Sequence, residues 1–370
     1  MSIVDIEYLI IFGLFAFCFC LSIQEVKTPN ANSIVHPNTS VFLKALSCLV
    51  IIVHHYALRV EGGTVNKAFE VGGGTYALVI FLFLSSYGIV KSEIMHKTRL
   101  MEYANHRLWK LLLPYLFVTL GSIGLYYLIG AQTDSDKLIG ARISPAFVDI
   151  GGGITFLDLC GYLFGFKSFS SSMWFVGVTF YSYVAFGIAK FIGTSDCKFD
   201  LMNKKAQVIT IYTALLCAFA IFTYNFPEEF PAHYYRNLWA LWLGMIAAFY
   251  EKWILSNGIF NKALSFLLMN ALMVVWLTIT SSGYKMYYIF ANIAIISIIL
   301  SNIVFRKYSL KPNSIICKLA LLSYCIYLVH GKVLTVEWWY IGYNSVILVV
   351  VLCIVLSYYI TNVMNYVLRK

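Results

Sequence analysis

Phe42-Leu43-Lys44-Ala45-Leu46-Ser47-Cys48-Leu49-Val50-Ile51-Ile52-Val53-His54-His55-Tyr56 is an apolar run with a base near its start and a histidine pair near its end. Read as a helix, it places Lys44 and His55 close to three full turns apart, on one face and about 16 Å apart along the axis. Runs of this kind recur almost continuously, and the whole chain of 370 residues is 60% hydrophobic and only 12% charged. That leaves too little polar surface for a soluble globule of this size, so a lipid bilayer must supply most of the solvent. A crossing of the hydrocarbon layer takes about 20 residues. Spans fall near residues 5–23, 42–58, 74–91, 111–130, 172–192, 206–224, 236–251, 262–281, 286–304, 315–335 and 343–367. The expected fold is an all-α, polytopic integral membrane bundle of about eleven transmembrane helices.

Several function classes are excluded at this level. Asp5 and Glu7 precede the first apolar run where a secretory signal would carry basic residues, so that run is expected to be a retained helix. Most of the nine cysteines sit inside apolar runs, without the paired spacings of a zinc site or a disulfide framework, so no metal is expected. The net charge of +10 is divided among short clusters between spans, which excludes a nucleic-acid stripe. Threaded through alternating spans, the larger share of Lys and Arg falls on the side of Arg369 and Lys370. The positive-inside rule then predicts an outside N-terminus and a cytoplasmic C-terminus in the plasma (inner) membrane. The sequence reads as one membrane domain, 1–370. Its longest connection, 131–171, includes Gly151-Gly152-Gly153 and a semi-apolar stretch, 154–166, expected to be interfacial or re-entrant.

Ionisable side chains inside a membrane face a cavity or the bundle interior, which makes His55 a functional candidate. The alternative is a helix-end histidine pair wetted by the outer interface, with His54 turned about 100° away as the interfacial member. Gly72-Gly73-Gly74 and Ser85-Ser86-Tyr87 bracket another span, where small residues let backbones approach closely. Arg107 and Lys110 lie one turn apart at the start of a further span, placed either to grip phosphates or to snorkel. Trp174 opens a helix at the opposite interface. Ser323, Tyr327, His330 and Glu337 form a polar stripe at helical spacing, and a stripe on a membrane helix needs partners.

Taken in order, these segments resemble acyltransferase family 3, polytopic membrane enzymes that O-acylate surface polysaccharides, lipid-linked sugars and related acceptors. Lys44 and His55 match the family's Arg/Lys-to-His spacing. Phe83-Leu84-Ser85-Ser86-Tyr87 resembles its Phe-x-x-Ser-Gly-Tyr segment, with one residue fewer between Phe and Ser and Ser86 in place of Gly. Arg107-Leu108-Trp109-Lys110 resembles Arg-x-x-Arg, with Lys in the last place. Met173-Trp174-Phe175 and Ser323-Tyr324-Cys325-Ile326-Tyr327-Leu328-Val329-His330 resemble the later signatures. The resemblance covers residues from about 41 to 370, a ten-helix core, with 1–40 as an extra N-terminal helix and linker. It implies acyl-CoA, commonly acetyl-CoA, as donor substrate at the cytoplasmic face, no tightly bound cofactor, and a carbohydrate or glycolipid acceptor reached from the other side. It further implies His55 as general base or acyl carrier, and Lys44, Arg107 and Lys110 as donor-binding residues. Ser86, Tyr87, Trp174, Ser323, Tyr327, His330 and Glu337 take supporting roles, with Glu337 able to polarise a histidine. The competing reading is a transporter or flippase for a glycan or lipid, which would show repeated halves and broken helices in matching positions.

Overall fold

The apolar runs become helices whose ends are capped by the polar residues between them. Ser2 accepts a hydrogen bond from the Asp5 N–H (3.1 Å) while Asp5 accepts one from the Ser2 N–H (3.3 Å), a capping box at the start of the first helix. Pro37 occupies the first turn of the second, where its missing N–H costs nothing, and His36 Nδ1 accepts from the Asn38 N–H at 3.2 Å.

The computed structural model describes residues 2–26, 33–96, 98–129, 161–162, 173–193, 201–202, 204–226, 230, 232–256, 267, 270–278, 284–336 and 345–368. In chain order the elements are α1 (Ile3–Ser22), β1 (Ile23–Glu25), α2 (Pro37–Ala57), α3 (Thr64–His96), α4 (Leu100–Ile129), α5 (Trp174–Gly193), α6 (Lys205–Asn225), α7 (His233–Arg236), α8 (Leu238–Phe249), α9 (Glu251–Ser256), α10 (Tyr284–Phe305), β2 (Tyr308–Leu310), α11 (Ile315–Val336) and α12 (Val346–Leu368). Eight helices among the described residues are long and apolar enough to cross a membrane. The chain is a polytopic helical bundle. The triple glycine at 151–153, most of the 131–171 connection and part of the 262–281 span lie outside the described residues.

The hub is α3, whose spanning window is 83% buried, against 22% for α1 and 28% for α6 and α12, so the latter three face the lipid. Lipid tails are as apolar as leucine, so burial of apolar surface does not drive helices together there, and close packing through small residues takes over. The glycines of α3 serve that end. A Cβ on Gly74 would lie 2.6 Å from His54 Nε2, and one on Gly72 only 1.9 Å from the Phe290 ring. On the other side of α3, a Cβ on Gly244 of α8 would meet the Phe83 carbonyl oxygen at 2.4 Å.

Three features differ from the sequence reading. The expected span 236–251 is three helical pieces, α7 to α9, interrupted at Asn237 and Tyr250; α8 alone covers only about 18 Å, so a crossing needs its neighbours. The helix expected to span from residue 111 begins at Leu100, so His106, Arg107 and Lys110 ride on its second and third turns, ahead of the apolar run. A short antiparallel ribbon pairs β1 with β2, with Gln24 opposite Ser309, and ties α1 to the α10–α11 connection.

The N-terminal end of the first helix is held by polar contacts on two sides. The carboxylate of Asp5, 3% exposed, accepts from the Asn66 N–H (3.1 Å), and the Tyr8 hydroxyl donates to Asn66 Oδ1 (2.6 Å). Glu7 accepts from Ser345 Oγ (2.8 Å) and the Val346 N–H (3.0 Å), placing a negative charge on the free N–H groups of α12.

Candidate active site

The face of α2 that carries Lys44 looks into a cavity of about 420 Å³ enclosed by α2, α3, α4, α5 and α11. Its mouth is basic: Lys44, His106, Arg107 and Lys110 line it, and no carboxylate lies among the described residues that do. Arg107 sits close enough to Lys44 for the two cations to interact electrostatically. Converging like charges in a partly desolvated pocket are unfavourable until an anion joins them.

Further in, the wall is hydroxylic. Ser85 Oγ and the Tyr183 hydroxyl hydrogen-bond at 2.6 Å, Ser323 Oγ donates to the Ala320 carbonyl (2.7 Å), and the Tyr324 hydroxyl donates to the Leu111 carbonyl (2.6 Å). That last bond crosses from α11 to α4 one turn before Pro114, whose ring and missing N–H disturb the helix's own ladder at the same place. Thr179 Oγ1 is buried at the wall with no hydrogen-bond partner among the described residues.

The deep end is aromatic. Phe81, Phe175 and Tyr327 close it, with the Phe175 and Tyr327 ring centroids 4.9 Å apart. Beyond Tyr327 stands His330, centroid 5.5 Å away, and beyond that His55, 4.8 Å from His330. His330 is fully buried, and its Nδ1 lies 2.6 Å from the Tyr327 carbonyl. A carbonyl can only accept, so Nδ1 carries the proton and Nε2 keeps a lone pair; that Nε2 has no partner among the described residues.

Of the sequence-predicted residues, Lys44, Arg107, Lys110, Ser323 and Tyr327 all line the one cavity, and His330 and His55 follow in line behind it. Trp174 stands behind Phe175, edge to face at 6.4 Å. Ser86 and Tyr87 are not among the lining residues. Ser86 lies beside the Tyr212 hydroxyl, and Tyr87 donates to Glu251 at the start of α9, where Lys91 and Ser33 also converge. Ser85, one residue and about 100° earlier, is the one that faces the cavity. His54 is no interfacial residue: its Nδ1 lies 2.8 Å from the Phe69 carbonyl and its ring fills the space left by Gly74. Glu337 lies outside the described residues.

Sequence reasoning did not single out Ser85, His106, Thr179 and Tyr183; Ser85 lies within the Phe83–Tyr87 segment, and the other three carry no signal beyond helical phase. It also missed Lys332, buried on α11 with its ammonium 3.0 Å from Met173 Sδ. A lysine inside an apolar run was the available sign there.

The acyltransferase family 3 profile, an acyltransferase domain, matches residues 42–364. The chain belongs to acyltransferase family 3. The match begins at the head of α2 and leaves α1 outside it. Comparisons with curated proteins and with solved structures return no match. Family membership makes the chain a membrane acyltransferase.

Proposed function

We propose that this acyltransferase moves an acyl group, acetyl in the first instance, from cytoplasmic acyl-CoA to a hydroxyl of a surface carbohydrate or glycolipid, with His55 as general base. The observation that carries the reading is the cavity with four basic residues at its mouth and a file of rings leading from its deep end to His55. The donor's phosphates would meet Lys44, His106, Arg107 and Lys110, and the amides of the pantetheine arm would meet Ser85, Thr179 and Tyr183. The thioester would then stand at the aromatic end. His55 takes the proton of the acceptor hydroxyl as its oxygen attacks the thioester carbon; the carbon–sulfur bond breaks, that proton passes to the departing sulfur, and CoA leaves as the thiol.

A second assignment within the same reaction has an observation of its own. The unpartnered Nε2 lone pair of His330 equips that residue as the base, with His55 orienting the acceptor. In the membrane, the basic mouth faces the cytoplasm, which puts the N-terminus of α1 outside and the end of α12 inside.

The test is mass spectrometry of surface glycans from cells with and without the gene. The expected result is loss of one acyl mass per modified residue when the gene is absent. Unchanged glycan masses with altered transbilayer distribution would favour a transporter instead.

A further inference from the structure

Resting on the donor reading above, we propose that Phe175, braced by Tyr327, sets the length of acyl group the protein accepts and holds it to short chains.

His55 is not among the residues that line the cavity, and the wall between them is a contact of rings. Phe81 and Phe175 lie 6.1 Å apart, and Phe175 and Tyr327 lie 4.9 Å apart. A donor anchored by its phosphates at the mouth presents its acyl end to this wall. To be attacked by a hydroxyl that His55 activates, the thioester carbonyl must reach the Phe175–Tyr327 contact, and the acyl group must lie in or past it. Behind the contact the next groups are polar rings rather than aliphatic side chains. The fully buried His330 stands there, and His55 after it. A longer chain would have to push these imidazoles aside or fold back against the hydroxylic wall of Ser85, Thr179 and Tyr183, where an alkyl chain satisfies no polar group.

The wall is also stiff. Phe175 is the second residue of α5, whose first turn is fixed by the Val176 N–H donating to the Met173 carbonyl at 3.0 Å. Its ring, 6% exposed, is backed by Trp174, which rests in turn on Tyr234 at 5.8 Å. The Phe175 backbone N–H lies within hydrogen-bonding reach of the Tyr327 hydroxyl, so the ring pair is tied by its main chain as well. Swinging Phe175 aside would disturb three packed aromatics. Deleting its ring would instead open space at the point where the acyl group ends.

The experiment measures affinities of CoA, acetyl-CoA, butyryl-CoA and hexanoyl-CoA for the purified full-length protein in nanodiscs, by competition with radiolabelled CoA. No acceptor is needed. Wild type should bind acetyl-CoA at least as tightly as CoA, with hexanoyl-CoA weaker by about tenfold or more, the scale on which a hydrophobic pocket discriminates chain length. Phe175→Ala should strengthen hexanoyl-CoA by about tenfold while leaving CoA itself unchanged, and Phe175→Leu should fall between. The Leu variant and the wild-type series remain decisive if the Ala variant does not fold. Equal affinity of wild type for hexanoyl-CoA and acetyl-CoA overturns the proposal, as does a chain-length series that is the same in wild type and both variants. If CoA binds in a manner that Arg107→Ala weakens while the series stays flat, only the role of Phe175 fails. If CoA does not bind, or binds without regard to Arg107, the donor site itself is wrong and this inference goes with it.

Discussion

Two groups of cations lie toward the same end of the bundle and have opposite fates. Lys190 of α5 meets Glu93 of α3 at 2.5 Å, with side chains 4% and 2% exposed, and also donates to the Thr98 carbonyl at 2.6 Å. Lys91 is likewise bound to Glu251. Lys44, Arg107 and Lys110 instead point into a cavity with no carboxylate among its described lining residues. The first group is neutralised from within the protein and fixes how α3, α4, α5 and α9 meet. The second has no carboxylate beside it in the cavity among the described residues, and in the proposed function it meets the donor's phosphates. Composition treats the two alike, and only the fold separates the cations paired within the protein from those that line the cavity.

The separation can be tested on both sides. The largest expected effect falls on the structural pair. Glu93→Ala leaves Lys190 buried beside an empty place and should cost about 3–5 kcal/mol, the usual penalty for breaking a buried ion pair. Thermal unfolding of the purified variant should begin well below wild type, while the KM for acyl-CoA of the surviving folded fraction stays put. An unchanged unfolding temperature would put Lys190 in the same class as the cavity cations.

Next come the cavity cations. Each charge-assisted hydrogen bond is worth about 1.5–3 kcal/mol, so Arg107→Ala or Lys110→Ala should raise the KM for acyl-CoA by roughly ten- to a hundredfold. Thermal stability should barely move. A donor titration that overlays wild type for both variants would return these residues to the snorkelling role and dissolve the comparison.

The smallest effect is expected at Gly88, where an added Cβ meets nothing within 4 Å and would enter the cavity. Gly88→Ala should be neutral or stabilising by about 0.5–1 kcal/mol, the ordinary gain for alanine in a helix interior. Gly74→Ala, whose Cβ would press on His54 at 2.6 Å, should destabilise. If both behave alike under thermal unfolding, the close approach of α2 and α3 is looser than these distances imply.

The fold was largely legible because membrane spans are long and apolar, and a span's existence does not depend on its neighbours. Most of the expected spans stand as helices. What was less legible lay at the span ends: the three-piece α7–α9 segment reads as one apolar run, and the first turns of α4 read as a connection. Cavity lining was legible where spacing fixed a face, as for Lys44 on α2 or Ser323 and Tyr327 on α11. That reading failed at Ser85-Ser86-Tyr87. There, three adjacent polar residues point in three directions, and only the packing of α3 against α5, α6 and α9 decides that Ser85 faces the cavity while Tyr87 faces Glu251.

The most direct measurement is acyl-transfer turnover of purified His55→Gln beside wild type and His330→Gln, with CoA binding measured on the same samples. Glutamine keeps a hydrogen-bonding side chain but cannot take up a proton near neutral pH. If His55 is the general base, His55→Gln should bind CoA normally and turn over about 10²- to 10⁴-fold more slowly. His330→Gln, as a positioning change, should lose less. Near-normal turnover in His55→Gln with a deep loss in His330→Gln would contradict the account and move the base one ring closer to the cavity.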